Sequence, residues 1–261
     1  SGRRICARAR LITAKASSST ARTSAWVSGA LLVDASVPAR IGKRLVPLPL
    51  VKTKASRLEN SAAVEARIPD ASLPFDLETF MRNPARLRIG TFDRDSGEII
   101  YYSKEDIHDI RDLMKIVRSS SSMPIFMPPT CYNDRYYVDG GLGGGIPLDI
   151  AKKDGMKKFF VVLTRERGYR KGPVKYGGFF KTYYRKYPAV AEALLKRHTI
   201  YNQTLEELKQ LEGEGKAFLV YPDTMPVSNR EVNYRKLSES YRLGYEQGRR
   251  DLSKWQEFLS K

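Results

Sequence analysis

Residues 135–150 read RYYVDGGLGGGIPLDI, and this stretch decides the fold class of the chain. The β-rich run Arg135–Val138 predicts a strand, Asp139 followed by glycines predicts a tight turn, and Pro147 predicts the start of a helix. A little later, the apolar run within Lys158–Thr164 is typical of a strand buried on both faces. A strand, a turn, a helix and a second strand at these lengths indicate a layered α/β domain with a largely parallel sheet.

Alternating elements continue on both sides of this stretch. Asp95-Ser96-Gly97 predicts a hairpin turn between two short strands. Apolar residues at helical spacing predict a helix over Lys104–Arg118. Farther along, the pattern predicts a long helix over Ala189–Leu211 and a charged, mostly helical tail over Glu231–Leu259. We find no internal repeat.

The composition excludes several classes of protein. Two cysteines are too few for a disulfide-dense secreted scaffold. Two cysteines and two histidines also argue against a zinc finger or a His-rich metal site. We therefore expect no metal and no cofactor. No run of 18 apolar residues predicts a membrane span. His108 and His198 both lie in charged surroundings, so each is interpreted as a surface residue rather than as part of a Ser–His–Asp triad.

Residues 1–70 differ from the remainder of the chain. They contain 13 basic and 4 acidic residues, all 15 tyrosines lie at or after Tyr101, and Trp26 is the one aromatic residue before Phe75. Since this segment has little to bury, it is predicted to be poorly ordered. Three origins are open: an organelle transit peptide reaching to Val33, a nucleic-acid-binding arm, or a truncated or frame-shifted coding sequence.

The candidate chemistry is at Asp139. It ends a strand and starts a turn at the edge of the sheet, where ligands of open α/β folds bind. Gly140 and Gly141 would permit a positive φ and the close approach of another backbone. The alternative is that Asp139 only caps the turn.

Four segments in this order resemble the C-terminal half of bacterial patatin-like phospholipases: Val117–Pro124, Tyr137–Leu142, Gly145–Leu148 and Lys158–Leu163. They correspond to a helix that ends in a Ser-rich turn, a strand with the D-G-G box, an Ile-Pro helix start and a buried strand. The resemblance covers about Phe75–Leu259.

The resemblance implies a three-layer α/β/α domain that hydrolyses acyl esters of lipids with a Ser–Asp dyad and without a cofactor. Asp139 would accept the proton of a serine in a G-x-S-x-G turn between a strand and a helix, and Gly140 and Gly141 would form the turn that presents it. A Gly-rich loop near the N-terminus would supply oxyanion N–H donors. A cytoplasmic location, with peripheral contact to a membrane, would follow.

The sequence departs from the family at the nucleophile. No G-x-S-x-G occurs, the N-terminal Gly-rich loop is missing, and Val27-Ser28-Gly29-Ala30 is only faintly similar to half of the motif. The odd composition ends where the matching half begins, so we favour the truncated or frame-shifted origin and predict little or no hydrolysis. The predicted units are residues 1–70, a catalytic remnant over 71–165 and a C-terminal extension over 166–261.

A non-catalytic alternative comes from the charge of +17. Basic and aromatic residues are mixed in the segment Lys175–Lys186, which is a pattern that can bind lipid headgroups or nucleic acid. This alternative is a basic module that binds a membrane surface or nucleic acid. We expect an anionic membrane surface and no specific nucleic acid.

Overall fold

The computed structural model describes residues 24–27, 31–34, 75–228 and 231–261, the first two segments as backbone strands only. The described residues form eight strands: β1 Ser24–Val27, β2 Leu31–Asp34, β3 Arg86–Asp93, β4 Ile99–Tyr102, β5 Thr130–Tyr132, β6 Arg135–Asp139, β7 Phe159–Val162 and β8 Ala217–Val220. They also form six α-helices: α1 Leu77–Arg82, α2 Ile110–Ser121, α3 Leu148–Lys153, α4 Gly177–Tyr183, α5 Pro188–Gly213 and α6 Tyr234–Ser260. This is the α/β fold with a helical C-terminal tail that the sequence predicts.

The helix predicted over Lys104–Arg118 is shifted toward the C-terminus. A separate 3₁₀ turn occupies Lys104–Asp106, and α2 begins only after Asp109, whose carboxylate accepts hydrogen bonds from the first free N–H groups. The helix then continues into the Ser-rich stretch. Ser119 and Ser121 donate their hydroxyl protons to carbonyls one turn back, which lets serine remain inside the last turn.

The strands form one mixed sheet rather than the largely parallel sheet that we expected. Among the described strands, β1 with β3 and β7 with β8 pair in parallel, while the five other pairs are antiparallel. The links from β3 to β4 and from β5 to β6 explain part of this difference. The second link is only Asn133-Asp134, both at positive φ, and so short a turn can join only antiparallel strands.

Part of the N-terminal segment lies inside the sheet. β1 pairs with β3, β2 pairs with β7, and the two strands pair with each other. The prediction that residues 1–70 are poorly packed is therefore wrong for these eight residues, because they join the β3 half of the sheet to the β7 half. The remaining residues up to 70 lie outside the described part of the chain.

Helices cover the sheet on both faces. Leu87 and Ile89 of β3 pack against α2, whereas Phe92 of the same strand packs against Val190 of α5. Odd and even residues of a strand point to opposite faces, so α2 and α5 lie on opposite sides of the sheet. This arrangement is the three-layer architecture expected from the resemblance.

The C-terminal tail covers the sheet at its β7–β8 end. Val161 and Leu219 face α5, while Phe160 and Phe218 point the other way and stack on each other at 5.6 Å between ring centroids. Trp255 of α6 meets the Phe160 ring edge-on at 5.5 Å. The helix α6 is therefore held mainly by aromatic contacts with the sheet.

Candidate functional site

Asp139 is the last residue of β6 and the N-cap of a 3₁₀ turn formed by Gly140–Gly143. Its Oδ1 accepts a hydrogen bond of 2.7 Å from the N–H of Gly141, and its own N–H donates to the carbonyl of Ser122 at 2.9 Å. The carboxylate is therefore fixed by the turn that follows it. Asp139 caps its turn, as the alternative interpretation held, and a capping carboxylate keeps a second oxygen for chemistry.

The glycines of the turn are required for space rather than for positive φ. A Cβ on Gly140 would lie 2.1 Å from the carbonyl oxygen of Gly90, which is far inside van der Waals contact. A close backbone approach, predicted from the sequence for Gly140 and Gly141, occurs at Gly140, whereas side chains lie nearest to Gly141. The positive φ expected at Gly140 and Gly141 occurs instead at Gly144 and Gly145.

The strand register brings the end of β1 toward Asp139. Ile89 of β3 pairs with β1 on one edge of the strand and with β4 on the other edge. Thr91, two residues farther along β3, also pairs with β4, and on the opposite edge it pairs with Asp139 of β6. Strands β1 and β6 therefore share the edge of β3 opposite β4 and meet end to end. Val27, the last residue of β1, lies opposite Ile89. It is two residue positions from Asp139 along this edge, or about 7 Å at the usual rise of a strand.

Gly90 lies at the junction between these two strand ends. Its carbonyl accepts a hydrogen bond of 2.7 Å from the hydroxyl of Ser120, in the last turn of α2. Ser120 was not among the residues that the sequence pattern singled out. This hydrogen bond supports the Gly90 backbone beside the Asp139 turn.

Arg197 lies against the same turn, and the charge of Lys171 also acts on Asp139. Arg197 Nη2 would be 3.0 Å from a Cβ on Gly141, and Asp139 Oδ1 would be 2.9 Å from that same point. Burial raises the pKa of Asp139, and the charges of Arg197 and Lys171 together with the Gly141 N–H oppose this rise. Burial, followed by the charges of Arg197 and Arg165, lowers the pKa of Lys171 to about 8.

Arg197 escaped the sequence analysis although a signal was present. The buried stripe of α5 contains Val190, Tyr201, Leu205 and Leu208, and Arg197 falls on the same helical face, four residues before Tyr201. A charged residue at a position that faces the core is unusual and could have been singled out.

The histidines take no part in this arrangement. The ring of His108 is exposed and pairs with Asp112 on the surface at 3.1 Å, as predicted. His198 is half-buried, and its Nδ1 lies 2.9 Å from the carbonyl oxygen of Leu195 within α5. Ser28, the weak nucleophile candidate, lies outside the described residues.

A cavity of about 430 Å³ opens beside the strand that carries Asp139. Val138 lines one wall of it. Most of its other lining side chains are apolar or aromatic: Pro124, Ile125, Phe126, Met127, Pro128, Pro129, Tyr183, Tyr184 and Tyr187, with Arg94 at one side. The cavity is half-open to solvent.

Comparison with family models gives two matches. The patatin-like phospholipase model matches residues 24–152, which include β1, the Asp139 turn and α3. This part of the chain is similar to the patatin-like phospholipase family. A second model, a domain of unknown function named DUF6363, matches residues 187–260. Comparison with curated proteins gives no match.

The patatin-like segment begins at β1, so the strands that join the two halves of the sheet belong to the matched region. The family consists of lipid hydrolases, which supports a lipid ester as the class of substrate. The predicted unit boundary at residues 165 and 166 falls between the two matched regions and stays a prediction. Among the described residues, no helix is long and apolar enough to cross a bilayer.

Proposed function

We propose that this protein hydrolyses acyl esters of lipids and that Asp139 is the proton acceptor. The observation that carries the proposal is the end-to-end meeting of β1 and β6 on one edge of β3, within a segment that matches a lipid hydrolase family. Asp139 is fixed by the Gly141 N–H through one carboxylate oxygen. Its other oxygen can accept a proton from a nearby hydroxyl.

The proposed nucleophile is Ser28, because it follows Val27 directly in the sequence and Val27 ends β1 beside Asp139. In the proposed reaction, the serine oxygen bonds to the ester carbonyl carbon while its proton passes to Asp139. The alcohol then leaves with that proton, and water releases the acyl group in a second step of the same kind. Because the glycines of G-x-S-x-G are missing, we expect this rate to be slow.

The apolar cavity beside Val138 is proposed to hold the acyl chain. Its aromatic and aliphatic walls would remove the chain from water, while the ester group would remain at the end of β6. An acyl chain at this position would approach Asp139 from the strand side of the turn.

We also propose that α4 and its flanks contact an anionic membrane surface. Tyr176, Phe179 and Tyr183 are large aromatic residues that remain 83%, 55% and 57% exposed. The exposed cations Lys181 and Arg185 lie between and beside these aromatic residues in the sequence. Neither cation forms an ion pair with another described residue. Aromatic rings at headgroup level with surrounding cations suit an anionic lipid surface.

The non-catalytic alternative, a basic module that binds nucleic acid, is less well supported. The same basic and aromatic residues could contact phosphates and bases. Neither of the two family models that match the chain describes nucleic-acid binding. The alternative also gives no role to the buried carboxylate of Asp139.

Covalent labelling tests the proposed dyad. A fluorophosphonate probe forms a bond to an activated serine, and peptide mass spectrometry then locates that bond. We expect labelling of Ser28 that is lost in Asp139→Asn, with Ser24→Ala as a matched control that keeps the label. Equal labelling in Asp139→Asn, labelling of a different residue, or no labelling at all would contradict the assignment.

A further inference from the structure

We propose that Arg197 and Lys171 bind a phosphate group next to Asp139, so that the C-terminal segment recognises an anionic ligand for the patatin-like segment. The identity of that ligand as a phospholipid headgroup rests on the proposed function. The phosphate site itself rests on the arrangement of the described side chains.

Arg197 is half-buried on the core-facing side of α5 and forms no ion pair with the described residues. It lies on the buried stripe of α5, which crosses the Asp139 turn: a Cβ on Gly144 would meet Ile200, and one on Gly145 would meet Tyr201. Among the described residues, nothing forms a hydrogen bond with its buried Nε. No carboxylate of the described chain approaches the guanidinium within ion-pair distance. A buried Nε that has no hydrogen-bond partner among the described residues is costly, and a bound anion could supply that partner.

Lys171 is positioned by the same helix. The side-chain amide of Asn202 accepts a hydrogen bond from the Lys171 N–H at 2.9 Å and donates one to the Lys171 carbonyl at 2.9 Å. The Lys171 ammonium lies 4.6 Å from the centre of the Tyr201 ring. Arg197, Tyr201 and Asn202 all belong to α5, so this helix fixes both cations relative to each other.

The charges at this turn do not balance. Among the described residues, Asp139 is the carboxylate on which the charges of both Arg197 and Lys171 act, so two cations face one acid there. Mutual repulsion and burial together lower the pKa of Lys171. A phosphate mono- or diester would supply the missing negative charge and could accept hydrogen bonds from both cations.

This site would place a phosphate on the α5 side of the Asp139 turn, close to the proposed reacting ester. A phospholipid carries an ester and a phosphate only a few bonds apart, so both groups could bind at once. A neutral diacylglycerol has the same esters without the phosphate. The proposal therefore predicts a preference for phosphate-bearing lipids at this site.

Direct binding measurements by isothermal titration calorimetry test this on the full chain. The probes are dihexanoyl phosphatidic acid below its micelle concentration, dihexanoylglycerol and inorganic phosphate. We expect the phosphatidic acid to bind more tightly than dihexanoylglycerol. Arg197→Gln and Lys171→Met should each weaken phosphatidic acid binding by about 10-fold or more, as for a lost charge-assisted hydrogen bond. Arg197→Lys should restore part of it.

Lys157→Gln is the matched control, since Lys157 is exposed and its substitution removes one positive charge away from the proposed site. If inorganic phosphate binds as tightly as phosphatidic acid, the site is one for free phosphate; if only the lipid binds, it is a headgroup site. Unchanged phosphatidic acid binding in folded Arg197→Gln and Lys171→Met would overturn the proposal, and so would equal binding of dihexanoylglycerol. Should Arg197→Gln fail to fold, Lys171→Met decides the result. Binding does not require hydrolysis, so an inactive chain would count against the proposed function and leave this test readable.

Discussion

At the scale of single residues, Asp139 illustrates how the burial of a carboxylate opposes stability. Burial raises its pKa in the folded chain above the usual 3.8, despite the opposing effects of Arg197, the Gly141 N–H and Lys171. Ionising this carboxyl therefore costs more in the folded state than in the unfolded state. Its contribution to stability is fully present below the unfolded pKa and is lost as the pH rises through the folded pKa.

The first prediction follows from the direction of this pKa shift of Asp139. Asp139→Asn keeps an oxygen that can accept the Gly141 N–H, but it cannot ionise. Relative to the wild-type chain, the variant should gain unfolding free energy as the pH rises from 4 to 8, measured by urea denaturation at each pH. A difference between the two proteins that is constant with pH, or that falls, would contradict the raised pKa of Asp139.

The second prediction concerns the backbone contact beneath the turn. A Cβ on Gly140 would lie 2.1 Å from the Gly90 oxygen, and both groups are backbone, so neither can move aside cheaply. Gly140→Ala should destabilise the fold by about 3 kcal/mol, at the upper end for overpacking. Gly178→Ala is the matched control, since nothing lies within 4 Å of its Cβ position. Thermal unfolding that is equal for both variants would show that the contact is not tight.

Residue patterns predicted some of the site and missed the remainder for a physical reason. Asp139 and its glycines could be identified because a strand, a turn and a helix follow one another locally in the sequence. Arg197 and Lys171 reach that turn through the packing of α5. The position of Arg197 on the core-facing stripe marks an unusual charge, but no local pattern states which turn that charge contacts. Ser120 was missed likewise, because its partner is a backbone carbonyl 30 residues away.

At the scale of elements, short links between strands determine strand directions that the sequence patterns could not predict. Apolar runs predicted the strands β6 and β7, but a pattern of burial does not state the direction of a neighbouring strand. The two-residue turn between β5 and β6 fixes one antiparallel pair, and the end-to-end placement of β1 and β6 appears only in the register. The N-terminal strands were missed because two four-residue strands within a basic, Ala- and Ser-rich segment show no sustained alternation.

The third prediction tests how α6 is attached. Trp255 contacts the Phe160 ring edge-on, and Phe258 lies 5.4 Å from the Phe218 ring, so these aromatic contacts carry the helix. Trp255→Ala should destabilise the protein by about 2–3 kcal/mol, somewhat less than for a fully buried tryptophan. Tyr234→Ala, at the exposed start of the same helix, should change stability little. The two unfolding free energies are compared by urea denaturation, and similar losses would contradict this attachment.

At the scale of the whole molecule, the charge of +17 is distributed over exposed cations, several of which surround the aromatic residues of α4. The fourth prediction concerns a triple variant in which Lys181, Arg185 and Lys186 are all changed to Gln. It should bind phosphatidylglycerol vesicles about 100-fold more weakly, because each lost cation removes roughly 1 kcal/mol of binding free energy. Co-sedimentation measures this, and binding should fall with added salt.

The matched control for vesicle binding changes Lys153, Lys157 and Arg249 to Gln, which removes the same charge from exposed positions elsewhere. It should retain most of the vesicle binding. Equal losses in both triple variants would mean that net charge alone, and not the α4 surface, attracts the protein to lipid. Binding of the wild-type protein to DNA but not to vesicles would favour the nucleic-acid alternative.

The measurement that tests the central claim most directly is the rate of hydrolysis of a short p-nitrophenyl ester by the wild-type chain and by Asp139→Asn. We predict a slow rate above the uncatalysed background, at least about 100-fold lower in Asp139→Asn, as expected when a general base is removed. Ser28→Ala should lose activity equally, because the two residues act as one unit. A wild-type rate that Asp139→Asn retains in full, or the absence of any rate above background, would contradict the account.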